Sequence, residues 1–243
     1  MNRLLELACV VPVYNEAAVL EEAVTMLVQE LRRTITYARW QVVIASNGCT
    51  DETNAIARRL EASLAPQVRL VVCSEKGRGK ALREVFAVVP AQRYLYIDVD
   101  LPCELGDLSR VLAPLDEGFD LVTSHRTGYR PPVRRVMTMS LRTLNHWLFD
   151  VKVSDSQCAV KALSPRAAQV LVDDCEQNGW YLDTELVVLG RVRGLNWTEV
   201  PIHWVERRFP QRTSKVDIWG DSWKALRSLR QIWARRRGLT RSN

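Results

Sequence analysis

The chain has 243 residues, of which 47% are hydrophobic and 26% charged. That balance excludes a disordered or coiled-coil protein and is enough for one substantial α/β domain with its own core. A net charge of +6 and a pI near 9.1 favour an anionic partner, whether nucleotide, phospholipid or nucleic acid.

Six cysteines are scattered without a CxxC pair, and the three histidines lack metal-ligand spacing, which argues against a zinc site. No secretory signal opens the sequence, so a reduced, cytoplasmic setting is expected, with Cys9 and Cys73 acting as small hydrophobes. No segment reaches the roughly 18 consecutive apolar residues that a spanning helix needs.

The first hundred residues alternate strand and helix. Leu7 to Val13 reads as a short buried strand, and residues 16 to 31 as a helix with apolar positions at Val19, Leu20, Ala23, Leu27 and Leu31. Gln41 to Ala45 is a second strand, and a helix follows to Leu60 with Thr50 or Asp51 as its N-cap. Val68 to Cys73 is a third strand, Gly79 to Val88 a helix, and Tyr94 to Ile97 a fourth strand ending at Asp98. Strands separated by single helices imply a mostly parallel sheet. Ligands of such sheets lie beyond the carboxyl ends of the strands. Polar clusters fall at those ends: Tyr14-Asn15-Glu16, Ser46-Asn47-Gly48, Ser74-Glu75-Lys76-Gly77 and Asp98-Val99-Asp100.

Further on, Phe119 to Ser124 is a strand, Arg126 to Arg135 a basic loop and Val136 to Phe149 an amphipathic helix. Cys158 to Leu163 is strand-like, Ser164-Pro165 starts a helix, Tyr181 to Arg193 is another, and Thr198 to Val205 a last strand. No internal repeat or low-complexity linker interrupts the chain. The expected division is a catalytic domain over residues 1–217 and a basic amphipathic segment over 218–243.

Asp98-Val99-Asp100 carries the sharpest chemistry. Alternate residues at a strand end share a face, so both carboxylates aim into one site. Hard oxygen ligands suit Mg²⁺ or Mn²⁺, which would neutralise a diphosphate leaving group. Two acids in a loop carry no such meaning alone; the apolar strand before them and the three other polar strand ends supply it.

The segments VVPVYNEAAVLEEAV, SNGCTDET, KGRGKAL and YIDVDL follow one another in a specific order. SHR at 124–126, DSQCAVKAL at 155–163, WYLDTEL at 180–186, EVPIHWV at 199–205 and RTSKVDI at 212–218 come after them. In that ordered set the chain resembles the inverting family 2 glycosyltransferases, and among them the polyprenyl-phosphate mannose and glucose synthases. The resemblance implies a Rossmann-like α/β fold of the GT-A kind. It also implies transfer of a hexose, with inversion, from a nucleotide diphosphate-sugar, GDP-mannose first and UDP-glucose second. The acceptor it implies is a polyprenyl or dolichyl phosphate or a lipid-linked glycan, at the cytoplasmic face of a membrane.

By matching position, the resemblance has Pro12, Tyr14 and Glu16 frame the base and ribose. Asp51 stands where the family has a nucleotide-pocket acid, and equally where a helix cap belongs. Lys76 and Gly77, with Gly79, form a basic turn whose helix N-terminus suits phosphate. Arg126 matches an arginine near the diphosphate, where a planar fork fits. Asp155, Gln157, Asp183 and Glu185 match acceptor-side motifs, and the last two also suit the first turn of a helix. Arg212, Ser214 and Lys215 match a late basic element that approaches phosphate. Two departures stand out. Ser46-Asn47 replaces the family's usual paired acids, which leaves uracil and guanine both open. Pro102 stands where many relatives have Gln, so a third metal ligand is a water, a donor oxygen or another side chain such as Glu104.

A hydroxyl acceptor would require a general base, with Asp183 or Glu185 the candidates, whereas a phosphate acceptor would not. The alternative to an enzyme is a basic nucleotide- or nucleic-acid-binding module. The basic residues are not interleaved with stacking aromatics in an RNA-binding pattern, so no nucleic-acid partner is expected. Ile218, Trp219, Trp223, Leu226, Leu229 and Trp233 make one helical stripe flanked by Lys224, Arg227, Arg230 and Arg235 to Arg237. Met137, Leu141, Leu144, Trp147 and Leu148 make a second. Both suit the headgroup boundary of an anionic membrane, and both equally suit packing on the domain core.

Overall fold

The computed structural model describes residues 4–128, 132–205, 208–211 and 218–241. Strands β1 (Leu7–Val13), β2 (Trp40–Asn47), β3 (Val68–Cys73), β4 (Tyr94–Tyr96), β5 (Leu121–Thr127), β6 (Lys161–Leu163) and β7 (Trp197–His203) form one sheet in the order β3-β2-β1-β4-β6-β5-β7. β6 runs antiparallel to β4 and β5, and the other pairings are parallel. The mostly parallel α/β sheet expected from the sequence is therefore present.

Eight helices among the described residues cover the sheet: α1 (Leu20–Thr34), α2 (Thr53–Ser63), α3 (Arg78–Val88), α4 (Asp107–Asp116), α5 (Pro132–Phe149), α6 (Pro165–Asp173), α7 (Leu182–Val192) and α8 (Ile218–Arg241). A strand covered on two faces has no solvent side, so it reads as a continuous apolar run. β1 obeys this: all of it is buried. Leu7, Cys9, Val11 and Val13 join one core with α1, α2 and α4, while Ala8 and Val10 join a second with α3, α6 and α7.

Several elements depart from the sequence reading; α5, for one, starts at Pro132, inside the stretch read as a basic loop. α1 starts at Leu20 and not at residue 16, because the amides of Val19 and Leu20 both donate to the Glu16 carbonyl in a tight turn. α4 was not anticipated; Pro102, Gly106, Pro114 and Gly118 dominate that stretch, yet Leu108, Val111 and Leu112 pack into the first core. α8 does not offer its whole stripe to the outside. Leu229 and Ile232 are 4% and 0% exposed in the second core, and Arg236 Nη1 donates to the Leu148 carbonyl at 3.0 Å. Leu229 is thus a core residue, and Trp233 keeps 37% exposure.

Two local constraints aim the site. Ile97, Val99 and Leu101 are buried in the first core, which turns Asp98 and Asp100 to the opposite side of the chain. The Leu101 amide closes a turn onto the Asp98 carbonyl at 2.9 Å, with Leu101 held at φ +45, a left-handed conformation that costs a branched residue free energy. At the start of α3, a Cβ on Gly79 would lie 2.2 Å from the Gln177 carbonyl oxygen. Only glycine lets the helix N-terminus press this closely against residues 177–178, where the Gly79 amide donates to the Asn178 carbonyl at 2.9 Å.

Candidate active site

The carboxyl ends of β1, β2 and β4 and the N-terminus of α3 meet at one place, and buried charge holds them there. Arg78, in the first turn of α3, is 9% exposed. Its Nε donates to Asp98 Oδ1 at 2.9 Å and its Nη1 to Asp183 Oδ2 at 2.7 Å. Asp183, on α7, also accepts from the Tyr96 hydroxyl at 2.5 Å and from Lys161 Nζ at 3.0 Å. Lys161 is wholly buried and donates a further hydrogen bond to the Cys158 carbonyl at 2.5 Å. Two cations therefore face two carboxylates across β4, β6, α3 and α7. A charge so far from water persists only with partners of this kind.

The network sets the chemistry of its acid. Burial alone would raise the Asp183 carboxyl; Arg78, Lys161 and the Tyr96 hydroxyl outweigh it and hold the group below its ordinary value. Burial, with Asp183 and Asp98 nearby, pushes the Tyr96 hydroxyl well up against the opposing Arg78, and Asp183 and Asp98 keep Arg78 charged against its desolvation. Arg78, Lys161 and Tyr96 were not picked out from the sequence. Lys161 had a signal: a lysine inside the apolar run CAVKAL has to be paired if that run is buried. Arg78 Nη2 is buried with no hydrogen-bond partner among the described residues.

The other expected residues divide into those that the fold brings together and those that it employs elsewhere. Asn47 is 4% exposed and ties two strand ends to the phosphate-type turn: its Nδ2 donates to the Val13 carbonyl at 2.8 Å, and its Oδ1 accepts from the Gly77 amide at 3.3 Å. Lys76 Nζ lies 4.1 Å from the centre of the Tyr14 ring. Pro12 is buried on β1, and the Glu16 amide donates to Thr53 Oγ1 at 2.8 Å. Asp51 holds backbone, accepting from the amides of Thr53 at 3.0 Å and Ala17 at 3.3 Å. Arg126 places its fork on Asp155, with contacts of 2.5 and 2.8 Å, and its guanidinium 4.7 Å from the Trp204 ring centre. Gln157 Nε2 donates to Thr184 Oγ1 at 2.8 Å. Arg212 and Lys215 lie outside the described residues.

Glu185 is not gathered with these. It is 1% exposed, and its Oε2 accepts from the amides of Glu176 and Gln177 at 2.8 and 2.7 Å. Burial raises its pKa and those two amides oppose the rise. It clips the segment against which α3 is pressed.

Among the described residues no group of three or more His, Cys, Asp and Glu side chains is placed to hold a metal, so Glu104 does not complete a site with Asp98 and Asp100. The pair still fits a hard divalent cation: two half-buried carboxylates at one strand end, turned out by the buried Val99 and Leu101.

The buried network predicts a stability effect. Asp183→Asn leaves Lys161 and Arg78 short of one countercharge and should cost about 3–5 kcal/mol in urea unfolding at neutral pH. Because the folded-state pKa of Asp183 is depressed, its ionic contribution is present above the ordinary carboxylate pKa of about 4 and is lost as pH falls through the folded value. The gap between parent and variant should therefore shrink on acidification. An unchanged gap would contradict the assignment.

Comparison with known proteins agrees with this geometry. The family model described as Glycosyl transferase family 2 matches residues 8–161. The glycosyltransferase AglD of Haloferax volcanii is 31% identical over 220 residues, covering 88% of this chain and 34% of that protein, so the chain spans about a third of its length. A dolichyl-phosphate beta-glucosyltransferase of Saccharomyces cerevisiae is 23% identical, covering 82% of this chain and 67% of that one. The crystal structure of glucosyl-3-phosphoglycerate synthase from Mycobacterium tuberculosis, with Mn²⁺, UDP and glucosyl-3-phosphoglycerate, superposes with a TM-score of 0.68 at 19% identity, over 98% of this chain and 80% of that one. The α/β sheet, the acids turned out at the end of β4 and the matched family model agree: the chain belongs to glycosyltransferase family 2.

Proposed function

We propose that the protein transfers a hexose, with inversion, from a nucleotide diphosphate-sugar to a polyprenyl-type phosphate at a membrane surface. One observation carries the choice of acceptor: the acids matched to the acceptor side are already committed. Asp183 accepts from two cations and a hydroxyl, Glu185 Oε2 from two backbone amides, and Asp155 from the Arg126 fork. A sugar hydroxyl has to lose its proton to a base; Asp183, with its pKa depressed, serves poorly, and Glu185, although its pKa is raised, is 1% exposed and holds backbone. A phosphate monoester, with a second pKa near 6, arrives at neutral pH as a dianion and needs no such help.

The step is then a single displacement. An acceptor phosphate oxygen bonds to the anomeric carbon as the bond to the donor's diphosphate breaks, and the electron pair leaves with the nucleoside diphosphate. Lys76 reaches the donor's phosphates, Asn47 positions the turn that carries it, and Arg78 Nη2 supplies an unspent donor beside them. Asp98 and Asp100 would hold Mg²⁺ or Mn²⁺, which supplies charge neutralisation at the diphosphate when bound; water and donor oxygens complete the ligand set. The names of the relatives favour glucose, and the UDP in the superposed structure favours uracil. UDP-glucose is therefore the first donor to supply and GDP-mannose the second, reversing the order expected from sequence.

Incubation with UDP-glucose, Mn²⁺ and a short-chain polyprenyl phosphate should yield a glycosylated lipid phosphate. Asp100→Ala should lower kcat by about a hundredfold or more, the scale of losing one electrostatic contact to developing charge. Full activity of that variant in EDTA would contradict the site.

The membrane part of the reading rests on α5. Met139, Leu144 and Trp147 on this helix are 63%, 37% and 83% exposed, with Arg142 and His146 exposed between them. α8 lies beside its end and adds exposed Arg227, Arg230 and Arg237, the last 3.7 Å from the Trp233 ring centre. Among the described residues no helix is long and apolar enough to cross a membrane, and a basic surface with an exposed tryptophan suits a headgroup boundary. Trp147→Glu should weaken flotation with anionic liposomes by roughly tenfold or more, the scale of losing one buried aromatic side chain, without altering nucleotide binding. Equal flotation of the variant and its parent would remove α5 from the proposal.

A further inference from the structure

Asp98 has two possible partners, and the chain supplies one of them itself. Arg78 Nε holds Asp98 Oδ1 at 2.9 Å in an ion pair in which Arg78 is 9% and Asp98 15% exposed. The guanidinium cannot easily swing away. Its Nη1 is anchored on Asp183, and its carbon lies 5.1 Å from the Trp180 ring centre and 5.6 Å from that of Tyr96. Counting charge, Arg78 and Lys161 balance Asp98 and Asp183. Arg126, close enough to act on Asp98 electrostatically, is itself neutralised by Asp155.

A divalent cation that approaches this edge without a nucleotide meets a carboxylate already carrying a positive partner, in surroundings that screen charge less than water does. A cation that arrives with a diphosphate is different, because the phosphates bring more negative charge than the ion brings positive. The same anchored arginine that repels the first attracts the second. We propose that Arg78 is a positioning residue that makes cation binding at Asp98 and Asp100 conditional on the nucleotide diphosphate. This rests on the reading of those two acids as the cation-holding edge. Its consequence is an order of events: free metal does not occupy the site ahead of the donor, and each of the two ligands strengthens the other's binding by the same factor.

The test is titration of free Mn²⁺ by electron paramagnetic resonance on the whole chain, alone and with UDP or GDP. For the parent, the nucleotide should tighten Mn²⁺ binding by roughly tenfold or more, a coupling of ordinary size. Arg78→Met removes the charge at similar length and leaves Asp183 its contacts with Lys161 and Tyr96. It should bind Mn²⁺ alone at least tenfold more tightly than the parent and gain less from nucleotide, and Arg78→Lys, which keeps a charge, should resemble the parent. Thermal melting of each variant checks that the fold is retained. If Arg78→Met does not fold, Arg78→Gln takes its place with the same expectation. Mn²⁺ binding by the parent that is equally tight with and without nucleotide would overturn the proposal. So would an Arg78→Met or Arg78→Gln variant that binds Mn²⁺ no more tightly than the parent. No Mn²⁺ binding by the parent even with either nucleotide would instead overturn Asp98 and Asp100 as the cation-holding edge, and the proposal with it.

Discussion

A buried arginine ties the site together. Arg78 reaches from the first turn of α3 to a carboxylate at the end of β4 and to another on α7, so one guanidinium fixes the mutual position of three elements from distant parts of the chain. Such a group is costly to bury, and partial satisfaction would be worse than none. The surrounding structure is built to meet that cost: Lys161 and Tyr96 complete Asp183, Glu185 clips the loop that braces α3, and Gly79 lets that loop approach. Replacing any one of these strands a charge or opens the contact that positions the next.

This arrangement also restricts the reaction. The acids matched to the acceptor side are held by cations or backbone amides, and Asp98 at the strand end is itself paired with Arg78. A site of this kind does little proton chemistry of its own. On the proposed reading it would neutralise a leaving group, orient two charged reactants and rely on a nucleophile that is already ionised. An exposed tryptophan on α5 and two helices with basic residues fit the proposed phosphate acceptor, because a lipid phosphate is met at the boundary between headgroups and water.

Much of the sheet was legible because its physics is local. β1 and β3 show as apolar runs between polar turns, and the strand-end acids show as charged residues alternating with Ile97, Val99 and Leu101. What the sequence hid was long-range. Arg78 lies within a basic, glycine-containing turn in which Lys76 draws the attention, and its partner Asp183 is 105 residues away. Glu185 looks like an acid free for catalysis because its partners are backbone amides, which no side-chain pattern reveals. α4 was obscured by prolines and glycines that mark turns elsewhere, and tertiary packing overrode that local preference. The stripe on α8 was visible as a stripe, but periodicity cannot say whether Leu229 meets a membrane or the second core.

In the proposed reaction the acceptor, and not a side chain, supplies the ionised nucleophile. The pH dependence of kcat measured with two acceptors of different acidity tests this: a polyprenyl phosphate and its difluoromethylene phosphonate analogue, whose second pKa is lower. An acidic limb should appear near the acceptor's own second pKa, about 6 for the phosphate, and move to lower pH with the analogue. A limb that stays at one pH whichever acceptor is used would mark a titrating base on the protein and rule out an acceptor that arrives ionised.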